Sequence, residues 1–92
     1  MNVQDVVKLA KHYLSDVFQE ESPSQIGLEE IEFDAENDEW DVTIGFNRPS
    51  VTSGLVASAL GPFGAQTRSY KIVRIRNDDG RMVAIKQRTG LD

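Results

Sequence analysis

The sequence predicts an α+β domain in which one N-terminal helix packs on a four-stranded antiparallel meander sheet. Three observations carry this reading. Apolar residues recur every three or four positions near the N-terminus. They alternate with period two at Ile31 and Phe33 and from Trp40 to Phe46. A second alternating pair of segments flanks the turn Asn77-Asp78-Asp79-Gly80. The first spacing is one face of a helix, and the others are strands with a single apolar face.

The helix is read over residues 3–20, with Val3, Val6, Val7, Ala10, Leu14 and Val17 as its stripe and Phe18 broadening it. Asn2 is suited to the N-cap, and Asp5 stands three residues on, near the positive end of the helix dipole. Pro23 stops the helix by pushing Ser22 out of helical geometry. Such a helix spans about 27 Å and a seven-residue strand about 23 Å, so the one can lie along the other as a lid. Residues 21–27 read as a connector, with Ile26 tucked under the helix end.

The first hairpin covers residues 28–47. Its turn, Ala35 to Glu39, centres on Asn37 and Asp38. Ile31, Phe33, Trp40, Val42, Ile44 and Phe46 are expected to face the helix. Pro49 has no amide to donate and closes the second strand. Residues 50–67, rich in glycine and small side chains, admit two readings. Ser53, Gly61 and Pro62 punctuate a short helix over Leu55 to Leu60, while Gly54 and Ser58 weaken it in favour of a mobile loop. The second hairpin covers residues 70–88, and Gly80 supplies the positive φ of its turn. Val73, Ile75, Val83 and Ile85 are expected toward the helix, with Arg74, Arg76, Lys86 and Arg88 away from it. Residues 89–92 form a tail.

A 92-residue chain is one domain, burying roughly 60–65% of its unfolded surface, which leaves little room for a deep pocket. The absence of cysteine removes disulfides, thiolate zinc sites and cysteine nucleophiles. Asp5, Lys8, Lys11 and His12 interrupt what a signal peptide would need. No run approaches the roughly 20 apolar residues of a membrane span, so a soluble, cytoplasmic protein is expected.

The net charge of −5 is unevenly distributed. Residues 1–12 carry +1, residues 13–47 carry −11 with no lysine or arginine, and residues 48–92 carry +5. On a meander sheet, Glu30, Glu32, Asp34 and Asp41 of the first hairpin share the open face with the cations of the second. Opposite charges then meet across strands, at roughly 0.2–1 kcal/mol per pair. Alternatively the acidic stripe steers a partner of complementary charge. With a pI near 4.7, nucleic acid is not an expected partner.

No catalytic constellation emerges. His12 is the only histidine and lies off the apolar stripe, and no G-x-S-x-G elbow is present. The tip carboxylates Glu36, Asp38, Glu39, Asp78 and Asp79 lack the spacing of a calcium loop, and the two tips can fall at one end of the sheet. Gly61-Pro62-Phe63-Gly64 lacks the Lys-Ser/Thr of a phosphate loop. Trp40 and Tyr70 read as core and sheet-edge aromatics. Neither enzyme activity nor a cofactor or metal is expected.

The leading helix around Val6 to Leu14, the strand Trp40-Asp41-Val42-Thr43, and the closing Tyr70-Lys71-Ile72-Val73-Arg74-Ile75 with Asp79-Gly80-Arg81-Met82-Val83 resemble the cystatin-like superfamily, and PepSY-like domains in particular. The resemblance implies a helix gripped by an antiparallel sheet and a non-catalytic role in binding or inhibiting proteins. The chain departs from it in lacking an export signal and the Q-x-V-x-G inhibitory loop of cystatins.

The expected function is therefore a small protein-interaction domain. Val51, Leu55, Leu60 and Phe63 are candidate apolar contacts, and Glu30, Glu32, Asp34 and Asp41 are candidate acidic ones. An immunity- or inhibitor-type protein that neutralises a basic partner is one alternative. A small-molecule binder with a helix–sheet cleft is another. A homodimer through an edge strand is a further expectation, because an open sheet has two edges to protect.

Overall fold

The computed structural model describes residues 1–49 and 66–88, and the candidate contacts Val51, Leu55, Leu60 and Phe63 lie outside them. Helix α1 (Val3–Val17) and a 3-10 turn (Gln19–Glu21) precede strands β1 (Ser24–Asp34), β2 (Glu39–Pro49), β3 (Gln66–Arg76) and β4 (Met82–Gln87). The strands form one antiparallel sheet in the order β1-β2-β3-β4. This is the predicted α+β arrangement.

The Asn2 side chain accepts the Asp5 amide at 2.8 Å, capping α1 as expected. The helix ends sooner than the proline signal predicts. No basic residue stands in its last turn to meet the dipole, and Asp16, Glu20 and Glu21 crowd that end with the wrong sign. Phe18 instead leaves the helix and stacks on Phe46, with ring centroids 5.4 Å apart. Lys71 lies over its ring at 5.6 Å. Ser22 then turns the chain in the left-handed region at φ 49°.

The stripe that α1 buries is narrower than its apolar spacing suggests. Val6, Ala10 and Leu14, four residues apart, are fully buried, with Leu9 and Tyr13 packed beside them. Val3 and Val17, at the helix ends, are exposed. Opposite the stripe lie Val42, Ile44 and Phe46 of β2 with Val73 and Ile75 of β3, all fully buried. The helix–sheet interface is thus filled by these side chains.

Pairing Ile31 with Val42 and Phe33 with Trp40 puts the two predicted alternations on one face. Both hairpins are longer than their turn signals imply. β1 takes in most of the predicted 21–27 connector, and β3 begins four residues before Tyr70. Irregularities in β1 between Ser24 and Gly27 and between Leu28 and Glu30 absorb the extra length.

One expectation fails in β4. Ile75 pairs with Met82 and Arg74 with Ala84, so Val83 falls in a bulge. Met82, not Val83, packs on the core, and Val83 is 47% exposed. A bulge shifts the side-chain period by one, which no alternation count can anticipate.

Each hairpin loop contains a left-handed residue, Asp38 at φ 55° and Gly80 at φ 73°. The Gly80 amide returns to the Arg76 carbonyl, and its own carbonyl accepts the Tyr13 hydroxyl at 2.8 Å. The second turn is therefore pinned to the helix. The tips meet at one end of the sheet, where Asn77 donates its amide to the Asp38 carbonyl and its side chain to the Asp38 carboxylate. Trp40 closes this corner by donating its indole N–H to Asn77 Oδ1 at 2.9 Å.

Candidate functional site

The face opposite α1 is laid out in rows by the strand register. From the tips downward, the first row is Asp34, Glu39 and Arg76. The next is Glu32, Asp41, Arg74 and Ala84, followed by Glu30, Thr43, Ile72 and Lys86. Gly27, Gly45 and Tyr70 form the row after that. Period-two alternation makes each row one face, and antiparallel pairing sets acids from β1 and β2 beside cations from β3 and β4.

Arg74 is where the two hairpins neutralise each other. Its Nε donates to Asp41 Oδ1 at 2.9 Å and lies 3.8 Å from Glu39. The hydrogen bond to Asp41, then the charge of Asp41, raises the pKa of Arg74 further above its ordinary value. Arg76 turns to the tip instead, where Asp78 accepts from it at 3.1 Å and Asp79 lies 3.8 Å away. That contact holds Asp78 below the usual carboxylate range. Arg48 pairs with Glu21.

Arg68 is committed by a different device. It reaches Glu29 at 3.3 Å, the Gln25 carbonyl at 2.6 Å and Asn47 Oδ1 at 3.3 Å. Its guanidinium lies across Gly45, where a Cβ would come within 2.7 Å of Nη2. The bare backbone at Gly45 is what lets this arginine cross from β3 to β1.

The four acidic candidates therefore divide. Asp41 is committed to Arg74. Asp34 is committed to its own turn, accepting the Glu36 and Asn37 amides and, at 2.8 Å, the Asn37 side chain. Those hydrogen bonds, the Asn37 side chain first, lower its pKa. Glu30 and Glu32 remain. Both are exposed on the outer strand β1, and neither has a cation within 4 Å among the described residues. On the other side of β1, Leu28 and Phe33 are each 42% exposed, because α1 lies over β2 and β3. Edge position and missing counter-charge together separate Glu30 and Glu32 from their neighbours.

Two surface depressions flank this region. One, of about 480 Å³, is lined by Asn37, Glu39, Arg76, Arg81, Met82 and Val83. The other, of about 340 Å³, lies against Glu32, Phe33, Asp34, Ala35 and Asp41. No group of three or more metal-ligating side chains is assembled among the described residues. Of the tip carboxylates, Asp38 is engaged by Asn77, Glu39 by Arg74, Asp78 by Arg76, and Asp79 by Arg76 and the Arg81 amide. His12 is exposed beside Tyr13 and has no acid within 4 Å among the described residues. Among the described residues no helix is long and apolar enough to cross a membrane.

Comparison of the chain with family models, curated proteins and solved structures finds no match. The functional reading rests on the geometry. Sequence reasoning missed two features of the site, the exposure of Leu28 and Phe33 and the crossing of Arg68 over Gly45. The first had no local signal. The second had one, since Gly27 and Gly45 interrupt otherwise regular strands.

Proposed function

We propose that this domain is a non-catalytic protein-binding module that presents the acidic outer strand β1 to a basic partner surface. The observation that supports this reading is the pair Glu30 and Glu32. They are exposed and without a counter-ion among the described residues, on a sheet where Asp41, Glu39 and Glu29 each have an arginine. Charges left over at an edge steer encounter and set orientation more than they add affinity. The exposed Leu28 and Phe33 on the same strand supply apolar contact beside them. An immunity- or inhibitor-type role is the special case in which the basic partner is an effector whose site is covered.

The test is affinity capture from the native cell in low and high salt, with the intact protein and a Glu30→Lys/Glu32→Lys variant. The variant's fold is verified by circular dichroism. A basic protein recovered by the intact chain in low salt and lost by the variant is the expected result. Equal recovery by both overturns the reading. A partner lost instead by Leu60→Ser/Phe63→Ser would assign binding to the 50–67 segment.

A further inference from the structure

We infer that the acidic edge β1 accepts the β4 edge of a second copy of this chain, in a head-to-tail arrangement that continues the sheet. The inference deepens the reading above by naming an occupant for the same edge.

Charge is the first argument. The open-face row that begins with Glu30 on β1 ends with Lys86 on β4, with only Thr43 and Ile72 between. Three strand spacings, about 14 Å, keep the two ends from pairing within one molecule. Lys86, like Glu30 and Glu32, has no ion partner within 4 Å among the described residues. A two-fold β1–β1 contact would set Glu30 and Glu32 against their own copies, and a β4–β4 contact would do the same to Lys86. Like charges directly opposite are destabilising, so each edge rejects itself. Only the mixed contact joins opposite signs.

Backbone direction is the second argument. The Arg88 amide donates inward to the Tyr70 carbonyl. Antiparallel alternation then turns the backbone groups of the helix-face residue Ile85 outward on β4. Carried across the register to β1, the same alternation turns those of Ile31 and Phe33 outward. Both edges thus offer ladder groups from helix-face residues, and a β4–β1 junction keeps both helices on one side. Four alternating strands make the next β1 antiparallel to β4 with every copy in the same orientation. In the register that sets Lys86 opposite Glu32, Ile85 comes opposite Phe33, covering an aromatic ring that α1 leaves exposed. In that register Ala84 to Gln87 run opposite Asp34 to Ile31, and the β1 irregularity between Leu28 and Glu30 ends the ladder beyond them. A heterologous contact of this kind does not close on itself.

Sedimentation velocity over a concentration series in low salt tests the inference on the purified chain. The wild type is expected to associate into a range of sizes that shrinks as salt is raised. Lys86→Glu alone and Glu30→Lys/Glu32→Lys alone are each expected to stay monomeric. In their equimolar mixture each β1 edge meets a β4 edge of opposite sign on the other variant, one junction native and one reversed, and alternating assemblies that grow with concentration are expected. A triple variant carrying all three reversals is expected to associate again. A wild type that stays monomeric throughout overturns the inference, as does a mixture whose components sediment independently. If the chain stays monomeric while capture of a basic protein still depends on Glu30 and Glu32, the occupant is wrong and the reading of the edge stands. If the chain assembles as described while capture ignores Glu30 and Glu32, the basic foreign partner is what fails.

Discussion

The two faces of this sheet are held by different physics. On the helix face, Val6, Ala10 and Leu14 meet Val42, Ile44, Phe46, Val73 and Ile75 with no exposed surface left, so shape decides what fits. On the open face the strands present charged rows, and position in the row decides which charge is matched. Asp41 has Arg74 beside it on the next strand, whereas Glu30 faces Thr43 and then Ile72. A face covered by its own chain is completed internally. A face left open is neutralised only as far as its cations reach: Arg68 gets across to Glu29 of β1, but among the described residues none reaches Glu30 or Glu32.

The comparison breaks most severely on the helix face. Leu14→Ala removes a fully buried side chain at the centre of the helix–sheet contact. Its cost is expected to be about 2–5 kcal/mol, the sum of lost transfer energy and the cavity left behind. In a domain this small, that is a large share of the total stability. Urea unfolding should show the midpoint falling sharply. A shift no larger than that of a surface substitution would mean that α1 is not the lid.

The turn that ties the faces together comes next. Gly80 sits at φ 73°, with Met1 and Leu9 side chains where a Cβ would go. Gly80→Ala is expected to cost about 2 kcal/mol, from left-handed strain together with displacement of those side chains. Gly80→Asn should cost less strain, because asparagine tolerates this conformation as Asp38 does in the other hairpin. Equal midpoints for Gly80→Ala and the wild type would count against the pinned turn.

These two cases also show which parts of the fold were legible in the sequence. Asn2, the Ala35–Asp38 turn and the Asn77–Gly80 turn carry local signals, and the backbone answers them locally. Period-two alternation assigned Trp40, Val42, Ile44 and Phe46 to the helix face, because nothing interrupts β2 there. Val83 was misplaced since a single bulge reverses parity, and a bulge depends on the partner strand rather than on neighbours in sequence. The α-helix was read too long because Pro23 marks where it must have stopped, while Phe18 leaves earlier to reach Phe46. Within the candidate site, four acids looked equivalent in sequence. Their division followed from which row each occupies, and that is a property of the register.

Acid separates the matched carboxylates from the rest without any mutation. Asp34 is held below the usual range by Asn37, and Asp78 by Arg76. A group whose folded pKa is depressed contributes stability that is fully present above its unfolded value, about pH 4 for aspartate. That contribution is lost as pH falls through the folded value. The urea midpoint is therefore expected to decline below about pH 4, and Asp34→Asn should flatten part of that decline. A variant with an unchanged pH profile would show that the Asn37 contacts do not persist in solution.

The smallest effect on stability belongs to Glu30→Lys/Glu32→Lys, and it is the one that sharpens the comparison most. Removing Asp41 would strip Arg74 of its hydrogen-bonded partner, whereas Glu30 and Glu32 have no such partner to strip among the described residues. Reversal also relieves repulsion between adjacent acids in a segment without lysine or arginine from residue 13 to residue 47. The denaturation midpoint is expected to hold or rise slightly, while salt-sensitive association is lost. A clear fall in the midpoint would mean that Glu30 and Glu32 support the fold. The asymmetry between matched and unmatched carboxylates would then be structural, leaving the β1 edge without a case as a binding surface.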